Sequence, residues 1–382
     1  MEKSIGKLLG FLMLPFLFLS LGTARAQGEN KSLKTVLSAD GPYICYFPDN
    51  RVKTLQVTAD GTIDSVWYDH PLPSDYSFPV VSHDGKYAFQ VTLHPIKRQP
   101  WKGGAADKVF VMSDPHGNLD CVVSLLQANH VIDSNLSWCF GKNQLMVLGD
   151  VCDRGNDVTQ IFWLLYKLEA EAEAAGGQVS FILGNHEPMV LSDDLRYTKD
   201  KYKALADSLH IRYSSLYGSD TELGRWLATR NVIQILGDNL YVHAGLGKAF
   251  YDADLSVPDV NDEMSRVLFL KNKKRKEFSD LHAFLYGNEG PIWYRGLVRD
   301  KEKYKPCPAD TLRLLMKKYG VEHIIVGHTI FDDISTFYGG KVIGVNVDNQ
   351  ENREAERGRA ILIENGRYYV VGDKGKIRLL FE

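Results

Sequence analysis

From residue 108 onward, short apolar runs of strand length alternate with stretches of helical spacing. Residues 108–113 form the first run. Residues 119–128 follow, with Val122, Leu125 and Leu126 spaced for one helix face. Residues 144–149 read as a second strand and 178–183 as a third. Between them, 157–175 is an amphipathic helix. Ile161, Leu164, Leu165 and Leu168 share one side, Glu169, Glu171 and Glu173 lie largely on the other, and Gly176-Gly177 ends it. Further strands are expected at 239–242, 323–326, 342–347, 359–363 and 367–371, with helical insertions at 192–229 and 249–284. This alternation predicts an α/β fold. Ahead of it, about 31–101 reads as β. Asp-Gly turn cues stand at Asp40-Gly41, Asp60-Gly61 and Asp84-Gly85, and strands fit 53–58, 63–68 and 87–93. The stretch 94–100, with a proline near each end, serves as a boundary.

The first residues change the picture of where the chain works. Lys3 and Lys7 precede an apolar run over 8–21, and Ala24-Arg25-Ala26 follows. That is the layout of a signal peptide cleaved after Ala26, and the run is short for a membrane span. The first cysteine is Cys45, so lipid attachment at a new N-terminal cysteine is excluded. The expected organisation is a signal peptide at 1–26, a small β-rich region at 27–100 and a catalytic domain at 101–382. The mature chain is expected to be periplasmic or secreted, with no stable membrane insertion. A net charge of -3 gives no case for nucleic acid or an anionic membrane as main partner. Five scattered cysteines do not make a disulfide scaffold, though an exported chain could form a bridge.

Chemistry gathers where the apolar runs stop. After the first comes Ser113-Asp114-Pro115-His116-Gly117-Asn118, and after the second Gly149-Asp150-Val151-Cys152-Asp153-Arg154-Gly155. After the third comes Gly184-Asn185-His186-Glu187, and later runs end in His243-Ala244-Gly245 and Gly327-His328-Thr329. Asp, His and Arg are costly to bury unpaired, and in open α/β sheets ligands bind beyond the carboxyl ends of strands. Carboxylate, imidazole and amide oxygen, without a thiolate set, suit Mn, Fe or Zn. Two such ions roughly 3.5–4 Å apart can clamp the attacking and leaving oxygens of a displacement at phosphorus.

The order D-x-H-G, G-D-x-x-D-R-G, G-N-H-E, H-A-G, G-H-T resembles the phosphoprotein phosphatase family of calcineurin-like metallophosphoesterases over about 108–382. With Pro291-Ile292-Trp293-Tyr294-Arg295-Gly296 it looks most like the bacterial Shewanella-like phosphatases. Ser113 stands where that pattern usually has Gly, and Cys152 where it often has Val. The resemblance implies a two-sheet β-sandwich flanked by helices, extended here by the small N-terminal β region. It implies two divalent metal ions. Asp114 and His116 would hold the first, Asp150 would bridge, and Asn185, His243 and His328 would hold the second. A hydroxide shared by the ions would attack phosphorus in line. Arg154 and Arg295 would bind the phosphate, and His186, oriented by Asp153, would protonate the leaving oxygen. Glu187 is expected to stand behind the ligands, with Asp348 a weaker candidate for the same place.

The expected activity is that of an exported phosphomonoesterase acting on phosphorylated protein, at Tyr or Ser/Thr. Hydrolysis of dinucleoside polyphosphates or other small phosphoesters is an alternative, and a non-catalytic phospho-ligand binding module is one of another class. Cys45 and Arg51 match the Cys-x5-Arg spacing of cysteine-dependent phosphatases. Pro48 lacks an N–H and Asp49 would repel the anion, which argues against that chemistry. The basic run Lys271-Asn272-Lys273-Lys274-Arg275-Lys276 reads as a solvated helix face.

Overall fold

A computed structural model describes residues 37–381 of the chain, so the expected signal peptide at 1–26 lies outside the described residues. Two six-stranded sheets face each other. One runs in the order Gly375–Phe381, Arg367–Gly372, Ala360–Glu364, Lys108–Met112, Gln144–Val147, Gln178–Phe181. The other runs Ser335–Phe337, Val342–Gly344, His323–Val326, Asn239–Val242, Ile233–Leu236, Lys102–Gly103. Lys108–Met112, Gln144–Val147 and Gln178–Phe181 are parallel neighbours, so their carboxyl ends leave the sheet side by side.

The unbroken apolar runs are explained by burial on both faces. Within Lys108–Met112, Val109 and Val111 pack between the sheets with Met146, Ile325 and Ile361. Phe110 and Met112 point the other way, into the core that carries Leu145, Val147 and Phe162. The two-residue period of a strand divides one run between two cores. Each such side chain, wholly withdrawn from water, contributes roughly 1.5–3 kcal/mol. The helices Leu119–Ala128 and Val158–Ala174 stand where the apolar spacing puts them.

The strands end one or two residues before their apolar runs do, because the backbone has already turned. Leu148 and Ile182 remain fully buried beyond the ladders. Among the described residues, the 192–229 insertion holds the helices Asp200–Leu209 and Glu222–Ala228. The 249–284 insertion holds Val257–Arg266 and Asn272–Glu277, and its end enters Asp280–Leu285.

The N-terminal region forms a three-stranded antiparallel sheet, Asp40–Tyr46, Val52–Val57 and Ile63–Tyr68, and a hairpin of Ser77–Val81 with Ala88–Thr92. Asp60-Gly61 and Asp84-Gly85 are turns, with Gly61 at φ +79 and Gly85 at φ +74. Asp40-Gly41 corrects the expectation. It opens a strand, and Gly41 at φ +91 sits in a shift of register between Asp40 and Tyr43, so a bulge replaces the turn. The region packs on the Val158–Ala174 helix. Trp163 donates from Nε1 to the Pro42 carbonyl at 2.9 Å, and its ring lies 4.8 Å from that of Phe78. At the hairpin tip, His83 uses its backbone N–H (2.7 Å) and Nδ1 (2.8 Å) on the two oxygens of Asp157, the residue that opens that helix.

Candidate metal centre and active site

The loops after the strands converge because their backbones adopt conformations few residues tolerate. Asp114, His116, Asp150, Asp153, Arg154 and His328 all have positive φ, between +42 and +72. Non-glycine residues held in the left-handed region are strained and cluster at functional sites. Gly149 and Gly184 allow two of these loops to touch. A Cβ on Gly149 would lie 2.4 Å from the Gly184 nitrogen, and one on Gly184 would lie 2.2 Å from Asp150 Oδ1.

Glu187 fixes the turn at Asp150. It is wholly buried, and its two oxygens accept backbone N–H groups of Val151 (2.8 Å), Cys152 (3.0 Å), Asp150 (3.1 Å) and Gly184 (2.7 Å). It therefore stands behind the site, as expected. Asp348 does not. It is exposed and accepts the Glu351 N–H at 2.9 Å, capping the short helix Asn349–Glu354. The group that does back Asp114 is Asn346, whose Nδ2 donates to Asp114 Oδ2 at 2.8 Å. Ser113, the departure from the usual glycine, donates its hydroxyl to Asp114 Oδ1.

All six expected metal-holding residues come together. Asp150 Oδ2 lies 3.2 Å from His243 Nε2 and 3.9 Å from His116 Nε2. His243 Nε2 is 3.1 Å from Asn185 Oδ1, and the His328 ring is 5.0 Å from that of His243. The backbone N–H of His328 donates to Asp114 Oδ1 at 3.1 Å, which joins the two ends of the cluster. Potential ligand atoms of His116, Asp150 and His186 lie within 4.8 Å of one another, as do those of Asp150, His243 and His328.

This donor set fits a pair of cations. His116 Nδ1 lies 2.8 Å from the Cys152 carbonyl and His243 Nδ1 2.6 Å from that of Leu148. A carbonyl only accepts, so each ring donates from Nδ1 and turns Nε2 inward, where a cation could replace its proton, the usual arrangement of metal-bound histidine. His328 Nε2 is buried with no hydrogen-bond partner. Without cations the cluster is electrostatically crowded. Burial, joined by Asp150, lifts Asp114 to about 6. In His243 burial works against the proton, but Asp150 and Asp114 outweigh it and raise the ring to about 9. Positive ions would relieve both.

His186 Nδ1 lies 2.6 Å from Asp153 Oδ2, while its Nε2 is 3.9 Å from Asp150 Oδ2. Arg154 is exposed, with its guanidinium 5.7 Å from the centre of the Tyr197 ring. Arg295 donates from Nη1 to Thr329 Oγ1 at 3.0 Å and to the His328 carbonyl at 3.3 Å. Both arginines line one cavity of about 350 Å³ together with Asp114, Asp150, Asn185 and His328. Sequence reasoning missed Asn346 and Tyr197 and quoted Trp293 only as part of a motif, yet all three share this cavity. Asn346 lies inside the apolar run 342–347, and nothing in its own surroundings along the chain singles it out.

Cys45 lies within a strand opposite Lys53, and burial pushes its thiol up to about 11, the reverse of an activated nucleophile. All five cysteines are free thiols. Among the described residues, no helix is long and apolar enough to cross a membrane.

The chain is 29% identical to a cold-active protein-tyrosine phosphatase of a psychrophilic Shewanella species. The superposition has a TM-score of 0.80 and covers 90% of this chain and 99% of that one. It is 24% identical to Shewanella-like protein phosphatase 2 of Arabidopsis thaliana over 63% of this chain and 71% of the relative. It is 27% identical to Shewanella-like protein phosphatase 1 of Plasmodium berghei over 60% of this chain and 62% of the relative. Residues 107–331, which carry every strand-end motif described above, match the calcineurin-like phosphoesterase family. The chain belongs to that family and is a phosphoric ester hydrolase.

Proposed function

We propose that this chain is an exported, metal-dependent phosphomonoesterase that acts on phosphorylated protein side chains. One observation carries the reading: a single cavity presents the Asp114, Asp150, Asn185 and His328 cluster together with the guanidinium groups of Arg154 and Arg295. A dianionic phosphoryl group needs positive charge on several sides, and forked guanidinium groups match its oxygens. The protein class of substrate is supported by the names of the relatives and by a likeness covering 90% of the chain, more than the sandwich alone.

Asp114, His116 and Asp150 would hold one cation, and Asp150, Asn185, His243 and His328 the other. When bound, such ions supply Lewis acidity toward the phosphoryl oxygens and acidify water. Arg154 and Arg295 orient the phosphoryl group and oppose the charge spreading over its oxygens. As the bond from phosphorus to the leaving oxygen breaks, His186 Nε2 gives that oxygen a proton. Asp153 holds the ring by Nδ1 and stabilises its charged form. Thr198 in turn donates its hydroxyl to Asp153 Oδ1 at 2.6 Å.

Export rests on the pattern of Lys3, Lys7, the apolar run 8–21 and Ala24-Arg25-Ala26. N-terminal sequencing of the mature protein from its own cell should begin after Ala26. For activity, metal-loaded protein is assayed on a phosphotyrosine peptide, a phosphoserine peptide and a dinucleoside tetraphosphate. Turnover of either peptide well above the nucleotide supports the proposal. Preference for the nucleotide, or silence on all three, refutes it.

A further inference from the structure

The basic run at 271–276 is only partly the solvated face expected. Helix Asn272–Glu277 exposes Lys273, Lys274 and Lys276 but turns Arg275 inward, where 2% of its surface remains. A buried guanidinium is costly unless paired. The two other arginines buried to this degree among the described residues are paired: Arg230 with Glu169 at 2.9 Å, and Arg359 with Asp373. Arg275 has no carboxylate partner among the described residues. Nε donates to the Val267 carbonyl (3.3 Å), and Nη2 donates to those of Leu268 (2.6 Å) and Pro188 (3.3 Å). Nη1 makes none of these bonds. The guanidinium also lies 4.4 Å from the centre of the Tyr286 ring.

Arg275 lines a side cavity of about 210 Å³, together with Lys276 and Asn288. This cavity shares Asn185, Arg196 and Trp293 with the catalytic cavity, so the two are adjacent. The single carboxylate on its wall is Asp194, and both of its oxygens are taken by Arg196, at 2.7 and 2.8 Å. The cavity is thus positive and next to the place where a phosphoryl group would sit.

We propose that this side cavity is a second anion subsite, taking a carboxylate or a second phosphoryl group borne by the substrate close to the one being hydrolysed. The inference rests on the phosphatase reading and deepens it. Preferred substrates are peptides with an acidic or phosphorylated residue beside the target.

Metal-loaded protein is assayed at high salt on three phosphotyrosine peptides, with neutral flanks, with aspartate flanks and with one neighbouring phosphoserine. Salt suppresses steering by the exposed lysines far more than contact with a buried guanidinium. kcat/KM should be about tenfold higher for at least one anionic peptide than for the neutral one, the scale of one charge-assisted hydrogen bond. Whichever anionic peptide leads identifies the group held. Arg275→Met should bring that ratio close to one. If Arg275 only clamps carbonyls, the variant lowers Tm and leaves the ratio intact, which overturns the subsite. So does a ratio near one in the parent protein that still hydrolyses the neutral peptide. Failure to hydrolyse these peptides and their counterparts with phosphoserine as the target refutes the phosphatase reading instead. If Arg275→Met does not fold, Asn288→Asp decides. Its added charge at the exposed rim should cut the ratio several-fold, and an unchanged ratio rejects the proposal.

Discussion

The imidazole of His186 is held at Nδ1 by Asp153 Oδ2, 2.6 Å away, although the two residues leave the sheet on different loops. Both side chains are at least nine-tenths buried, so the ring has one orientation, with Nε2 toward the cluster. His186→Asn should keep the metal content of the parent, measured by elemental analysis. Its kcat should fall by about 10² to 10⁴ on an alkyl phosphate, and by less on an aryl phosphate whose leaving group needs no proton. Native turnover of the alkyl ester by this variant would remove His186 from the role of acid.

Among the described residues, Asp150 is the one carboxylate within 4 Å of three imidazoles, those of His116, His186 and His243. Asp150→Asn should lose metal and activity together, with binding of Mn²⁺ weakened by at least about a hundredfold in calorimetric titration. A variant that bound metal normally yet failed to turn over would show that Asp150 does something other than bridge.

Glu187 makes its contribution without touching substrate. Glu187→Gln would set an amide NH₂ against backbone N–H groups that now all point at oxygen. A loss of about 2–4 kcal/mol is expected, read as a lower midpoint in urea with unchanged m. An unaltered midpoint would mean that the Asp150 turn holds itself.

Asp120 ties the N-terminal hairpin to the sandwich, accepting from Lys86, Tyr87 and Arg353. Burial acts to raise its pKa, but these three donors outweigh burial and hold the carboxyl well below the usual range. A depressed native pKa means stability that is complete above the unfolded value of about 3.9 and is lost as pH falls toward the native one. The site is about a third exposed, so screening leaves about 1 kcal/mol or less. Asp120→Asn should be slightly less stable than the parent at pH 6, with the difference shrinking as pH falls below about 4, as followed by thermal melts.

The strand-end chemistry was legible because each apolar run stops abruptly at Asp, His or Asn, and a packing role does not explain that. Asn346 was hidden: a neutral amide within an apolar run takes its meaning from Asp114, 232 positions away. Asp348 misled for the opposite reason, since a carboxylate at a strand end serves equally to cap a following helix. Tyr197 and Thr198 lie in an insertion whose loops carry no period. Arg275 shows the limit most clearly. In a run where nearly every residue is basic, spacing cannot tell which side chain turns inward. Only the carbonyls of Val267, Leu268 and Pro188 decide it.

His83 grips both oxygens of Asp157, and Pro42 receives the Trp163 indole, so the N-terminal strands behave as part of the wall of the enzyme. Anyone trimming this gene to a minimal expressible unit meets that fact directly. A product beginning at Trp101 would bare Trp163 and strip the start of its helix of a partner, inviting precipitation. Starting near residue 38 retains both contacts.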